Sequence, residues 1–217
     1  MSPKQNTSEV QSKKIKNIIF DLGNTLVFFD HNYFFSGVAG YEKRFGTKVF
    51  RDFIEENKLM YLLGTGRITG KKFYSVLKRE FGLTISYDKF VKKYQDIFWA
   101  NKPMEKFLKR LVKENKFNIL MLSNTDHLHI PYLYSAYPHL NLIKKKVISY
   151  KVGYSKPEKE IYEHIFERYQ IDPAESFFID DMPENIEMGK EFGLISHHYL
   201  HHKNLLKEFK SHSQFSL

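Results

Sequence analysis

Apolar and polar positions follow two periods along this chain, and their order predicts its architecture. Residues 16–21, Lys-Asn-Ile-Ile-Phe-Asp, form a short apolar run that ends in a carboxylate, with Gly23 and Asn24 as turn residues behind it. This is the pattern of a buried strand with an acid at its tip. A helix is predicted after Pro103, with Met104, Phe107, Leu108, Leu111 and Val112 on one face, and a buried strand at 118–122. The alternation continues with a helix at 128–135, a strand at 146–150, and a helix after Pro157 carrying Ile161, Tyr162, Ile165, Phe166 and Tyr169 at helical spacing. Ser155 and Glu158 match a Ser-x-x-Glu capping signature at the start of that helix. A strand at 176–179, a helix at 183–192, a strand at 194–199 and a helix at 203–210 complete the series. Five strands alternating with helices predict a doubly wound parallel α/β sheet, Rossmann-like in its core.

Residues 30–100 break the rhythm. They hold amphipathic helical stretches at 71–81 and 87–98 and no convincing buried strand, with Gly64, Gly66 and Gly70 punctuating a loop. The reading is an all-helical cap domain at 30–100 inserted into a core made of 15–29 and 101–217, with 1–14 as a disordered polar tail.

Composition narrows the class. Hydrophobic residues make up 42% of the 217, including 20 Phe and 14 Tyr, so there is ample material for a core. The absence of cysteine removes disulfides, thiolate metal sites and cysteine nucleophiles, and suits a cytoplasmic protein. No signal-peptide pattern and no membrane-length apolar run is present, so no membrane partner is expected. The net charge of +9 comes from lysines scattered over amphipathic helices, which reads as solvated surface and not as a nucleic-acid interface.

In a parallel α/β sheet the carboxyl ends of the strands face one crevice, and the candidate chemistry lies at those ends. Asp21 ends the first strand, and Ser123, Asn124 and Thr125 end the second. Lys156 follows the third, and Asp180 and Asp181 end the fourth. A nucleophilic carboxylate, hydroxyl and amide donors, a lysine and a pair of acids suit phosphoryl transfer, in which positioning and charge stabilisation dominate. Carboxylates are hard oxygen ligands and favour Mg2+.

These segments resemble the haloacid dehalogenase-like hydrolases. Phe20-Asp21-Leu22-Gly23-Asn24-Thr25-Leu26 looks like their motif I, Leu122-Ser123-Asn124-Thr125 like motif II, Ser155-Lys156-Pro157 like motif III, and Phe177-Phe178-Ile179-Asp180-Asp181 with Asn185 like motif IV. The motifs occur in the family order, the Gly66-Arg67-Ile68-Thr69 turn fits a helical cap, and the nearest branch is that of bacterial glucose-1-phosphate phosphatases. The resemblance implies that Asp21 attacks phosphorus to form an aspartyl-phosphate, Ser123 and Asn124 hold the phosphate, and Lys156 stabilises its charge. It further implies that Asp181, assisted by Asp180, holds Mg2+ with Asp21 and the backbone carbonyl of Gly23, with Asn185 supporting the metal loop. The expected partner is a small phosphorylated metabolite, a sugar phosphate first of all, acted on by a monomer or homodimer.

One position departs from the family. Most of its phosphatases carry a second Asp where this chain has Gly23, and that residue serves as general acid and base, a function worth about a hundredfold to ten-thousandfold. The glucose-1-phosphate branch shares the Asp-Leu-Gly-Asn sequence, so the change is a branch trait. Asp30 is one candidate replacement, although an ordinary hinge residue is the preferred reading for it. A haloalkanoate dehalogenase is disfavoured because that chemistry typically has an aromatic residue at the Gly23 position. The alternative function is a phosphate-ligand-binding or regulatory protein that keeps the site without turnover. His197, His198, His201 and His202 read as surface histidines, and the same is preferred for His127 and His129. Arg67 is a candidate for a second anionic or hydroxylated part of the substrate.

Overall fold

The computed structural model describes residues 14–213, so the predicted tail lies outside the described residues except for Lys14. Strand β1 (Asn17–Phe20) leads to β2 (Val27–Phe29) and then to five helices: α1 (His31–Glu42), α2 (Thr47–Glu56), α3 (Leu59–Gly64), α4 (Gly70–Phe81) and α5 (Tyr87–Gln95). After them come β3 (Phe98–Ala100), α6 (Lys102–Glu114), β4 (Asn118–Ser123), α7 (His129–Ala136), β5 (Lys145–Ile148), the short α8 (Ser149–Val152) and α9 (Lys159–Tyr169). The chain closes with β6 (Ser176–Asp180), α10 (Pro183–Glu191), β7 (Ile195–His198) and α11 (His202–His212).

The five-stranded sheet has the order β5-β4-β1-β6-β7, and every pairing is parallel. Register is pinned at its amino edge, where Asn17 Nδ2 donates to Ser176 Oγ at 3.1 Å and Asn118 Nδ2 to Asn17 Oδ1 at 3.0 Å. The same register brings Phe20 level with Met121 and Ile179, so the residues that follow on all three strands emerge together at the carboxyl edge. Side chains alternate between the faces. Ile18, Phe20, Met121 and Phe177 pack with Met104, Phe107 and Leu111 of α6 and Phe209 of α11, whereas Ile19, Leu120, Leu122 and Phe178 pack with Ile161, Tyr162 and Ile165 of α9. This is the doubly wound Rossmann-like sheet that the periodicity predicts.

Helices α1–α5 enclose a second core around Phe34, Phe50, Phe73, Phe90 and Tyr94, so the cap has its own hydrophobic centre. It is not wholly helical at its root. β2 and β3 pair antiparallel, with Phe28 opposite Trp99, and form the two-stranded ribbon that joins cap and sheet. The sequence reading carried the last cap helix to residue 98, but α5 stops at Gln95 and Phe98 lies in β3. An Ile-Phe-Trp run has high strand propensity, and a partner distant in sequence supplies the pairing that a periodicity window cannot contain. The Ser155 signature is half realised: Glu158 Oε2 accepts from the Ser155 backbone N–H at 2.9 Å, while α9 starts at Lys159 with Glu158 itself as N-cap. Among the described residues, no helix is long and apolar enough to cross a membrane.

Candidate active site

Asp21 leaves β1 at the carboxyl edge, where its N–H donates to Ile179 O at 2.9 Å and its side chain turns into a buried polar cluster. Lys156 is the hub of that cluster. Its Nζ donates to Asp21 Oδ1 at 2.6 Å and to Asp180 Oδ2 at 2.5 Å, with the ammonium fully buried. Asn124 holds this lysine by its backbone, since Oδ1 accepts from the Lys156 N–H and Nδ2 donates to the Lys156 carbonyl, both at 2.8 Å. The Asn124 side chain, which the family resemblance assigned to phosphate, is therefore engaged in fixing the lysine. Asp180 is saturated too, because Oδ1 accepts from the Met182 N–H and from Asn185 Nδ2, each at 2.9 Å. Asn185 thus stands behind the acidic loop, and Asp181 beside it is only partly buried. The Oγ of Ser123 is buried with no hydrogen-bond partner, a donor held ready at the end of β4.

Burial raises the Asp21 carboxyl against the opposing pull of Lys156, and Asp180 and Asp181 push it further, to about 7. Burial and then Asp180 raise Asp181 as well. For Lys156 burial acts against the charged form, but Asp180 and Asp21 outweigh it and hold the ammonium protonated well above its ordinary range. Oxygen atoms of Asp21, Asp180 and Asp181 lie within 4.8 Å of one another. Three carboxylates facing one lysine leave an excess of negative charge, and hard oxygen donors at this spacing fit a divalent cation such as Mg2+.

Above the acids lies a cavity of about 270 Å3 between sheet and cap. Leu22, Gly23, Asn124, Thr125 and Ser155 line its core side, and Phe29, His31, Met60, Tyr61 and Phe98 its cap side. A Cβ on Gly23 would stand 2.5 Å from Phe29 Cε1, so the aromatic ring occupies the space a second motif I carboxylate would need. Asp30 Oδ1 accepts from the Asn32 N–H at 2.8 Å and caps α1. Arg67 is exposed, lies over the Tyr61 ring at 5.0 Å, and is not among the cavity-lining residues.

Sequence reasoning passed over a second polar group on the cavity wall. Asp126 Oδ2 accepts from Tyr94 Oη of the cap at 2.8 Å and lies 3.0 Å from His129 Nδ1, while Oδ1 accepts from the Leu128 and His129 backbone N–H groups. His129 Nε2 reaches Tyr94 O at 2.9 Å. Burial favours the neutral acid, but His129 and these donors win and hold Asp126 down at about 2. His129 is buried on the cavity wall, contrary to the surface reading, because motif II turns it under α5. His127 Nε2 accepts from the Gly70 N–H at 3.1 Å, again across the two lobes. His197 also corrects a surface assignment, being stacked beside Phe177 and paired through Nδ1 with Glu208 at 2.5 Å beneath α11. His198 Nε2 lies 2.8 Å from Asp181 O, a contact that steadies the acidic loop.

A buried Asp–Lys–Asp cluster thus lies at the carboxyl edge of a Rossmann-like sheet, with a helical cap over it. The chain belongs to the haloacid dehalogenase-like hydrolase family, whose model matches residues 15–193. It is similar to a D-ribitol-5-phosphate phosphatase of Bacteroides thetaiotaomicron, 24% identical over 190 residues that cover 82% of this chain and 89% of the relative. Among solved structures, a haloacid dehalogenase family enzyme of the same organism, in complex with magnesium and inorganic phosphate, matches with a TM-score of 0.73 at 24% identity, covering 84% of this chain and 93% of that one. A predicted hydrolase of the family from Porphyromonas gingivalis matches with a TM-score of 0.69 at 21% identity, covering 84% and 90%. The family makes the chain a hydrolase, and the curated relative is a phosphatase. They do not reach the narrower glucose-1-phosphate branch, which stays an expectation.

Proposed function

We propose that this protein is a Mg2+-dependent phosphatase of small phosphorylated sugars or polyols, working in the cytoplasm through an aspartyl-phosphate on Asp21. The observation that carries the reading is the Asp21–Lys156–Asp180 cluster beside the cavity between sheet and cap, together with the unpartnered Ser123 hydroxyl at the end of β4. Asp21 attacks phosphorus with a carboxylate oxygen; the bond to the leaving oxygen breaks, and water then cleaves the acyl phosphate to regenerate the carboxylate. Lys156 keeps Asp21 oriented and offsets charge on the phosphoryl oxygens, and the Ser123 hydroxyl donates to one of them. Mg2+, held by Asp21, Asp181 and the Gly23 carbonyl, supplies charge neutralisation when bound. Asp180, whose two oxygens are occupied, positions Lys156 and the metal loop. With Phe29 over Gly23, the leaving oxygen takes its proton from water, which costs rate.

The sugar or polyol assignment rests on the D-ribitol-5-phosphate phosphatase relative and on the absence of lysine and arginine among the described residues that line the cavity. The test is phosphate release from a panel of sugar and polyol phosphates, nucleotides and phospho-acids, with and without Mg2+, using Asp21→Asn as blank. Turnover confined to Mg2+ and to neutral polyhydroxylated esters supports the reading. Binding of these esters without release would favour the regulatory alternative, for which the aromatic ring over Gly23 is the motivating observation.

A further inference from the structure

His31 opens α1 and lines the cavity beside Gly23, with its ring 4.9 Å from that of Phe29, which covers the missing acid position. Three imidazoles and carboxylates line this cavity, His31, Asp126 and His129, and two of them are committed. Both Asp126 oxygens and both His129 nitrogens have the partners described above. The Nδ1 of His31 is buried with no partner. The burial of this atom is uncompensated, and a ligand hydroxyl that paired with the ring would offset that cost. Its surroundings specify that group. Burial and the neighbouring His129 keep the ring uncharged, so it presents one donor and one acceptor and no cation for a second phosphate or carboxylate. Phe29, Met60 and Phe98 around it offer only apolar contact.

We propose that His31 is the specificity residue of this site, pairing with a hydroxyl on the leaving-group part of a phosphate ester and so selecting neutral polyols and sugars over apolar esters. The proposal rests on the phosphatase reading and deepens it. The Phe29 wall sets where the hydroxyl lies, on the leaving side of phosphorus, since the same ring fills the place of the absent acid. An apolar leaving group leaves the imidazole unpaired and is rejected, on the asymmetry that makes hydrogen-bonding pockets discriminate well. One neutral hydrogen bond of this kind is worth roughly tenfold in affinity, rising towards a hundredfold when the analogue leaves a buried group unpaired.

The experiment compares kcat/KM for a pentitol phosphate with that for pentyl phosphate, which has the same chain length without hydroxyls, in wild type, His31→Phe and His31→Asn. The expected wild-type ratio is tenfold or more; His31→Phe collapses it mainly through KM of the pentitol ester, and His31→Asn, which keeps a donor and an acceptor, restores part of it. A wild-type ratio near one overturns the proposal whatever the variants do. So does a His31→Phe ratio within twofold of wild type, since equal loss on both esters marks a structural role only. If neither ester is hydrolysed, the phosphatase reading has failed separately. Calorimetric binding of the two esters to the Asp21→Asn protein with Mg2+ then decides the His31 claim by the same ratio.

Discussion

Replacing Lys156 by Met removes the cation that pairs with the buried Asp21 and Asp180 while keeping much of its stem volume. The Nζ bonds lost are those of 2.6 Å to Asp21 and 2.5 Å to Asp180, both in a site closed to water. Truncating one partner of such a pair costs about 3–5 kcal/mol, because the remaining charges stay buried and unneutralised. That is a large part of a typical total stability of about 5–15 kcal/mol. The sign of the coupling is specific: Asp180→Asn made together with Lys156→Met removes one stranded charge, so the double variant should be more stable than the sum of the singles predicts, by about 1 kcal/mol or more. Mg2+ should also recover part of the loss, since a ligand that binds the native acids stabilises by mass action. Urea titrations at pH 7 with and without Mg2+ measure all of these terms. Additive singles, or a loss under about 1 kcal/mol for Lys156→Met, would refute the charge account of the site.

Further outcomes follow from the same structure. His31 is held at about 4 by burial and by His129, against the pull of Asp126 and Asp30, so the unfolded chain takes up its proton first as pH falls. Stability should therefore drop between pH 6.5 and about 4, by about 3 kcal/mol at most, and His31→Phe should flatten that part of the profile in pH-dependent urea melts. Gly23→Ala places a methyl group 2.5 Å from Phe29 Cε1 and should cost about 1 kcal/mol, a loss that Phe29→Leu in the same chain relieves; calorimetric melting reads both. Glu42 is buried at the end of α1 and accepts from the Thr84 and Ile85 N–H groups at 2.7 and 2.9 Å. Glu42→Ala should cost about 2–3 kcal/mol and loosen the cap first, which hydrogen exchange of α4 and α5 amides would show.

The parts of the site that were legible in sequence mostly share one property. Asp21, Ser123, Asp180 and Asp181 lie at or just past the carboxyl ends of buried apolar strands, and a parallel sheet brings strand ends together without further information, whereas Lys156 comes to them from the loop after α8. What escaped was set by contacts between lobes. Tyr94 reaches Asp126 across 32 positions, and Ser149 Oγ reaches Gly64 O across 85, at 2.5 Å. No local pattern marks such pairs. His129 and His31 look like ordinary helix-start histidines until α5 and β2 close over them, and β3 is invisible without β2. Asn124 shows the converse: the motif points to it as a phosphate ligand, but only the structure shows its amide turned to the backbone of Lys156.

The most direct test of the central claim is capture of the phosphoryl group on Asp21. The protein is mixed with Mg2+ and a polyol phosphate that it hydrolyses, quenched in acid within a turnover, and its peptides are mapped by mass. The account expects one phosphoryl group on the peptide holding Asp21, lost in alkali and absent from Asp21→Asn. Phosphate release with no acid-trapped adduct, or release that survives Asp21→Asn, would contradict it.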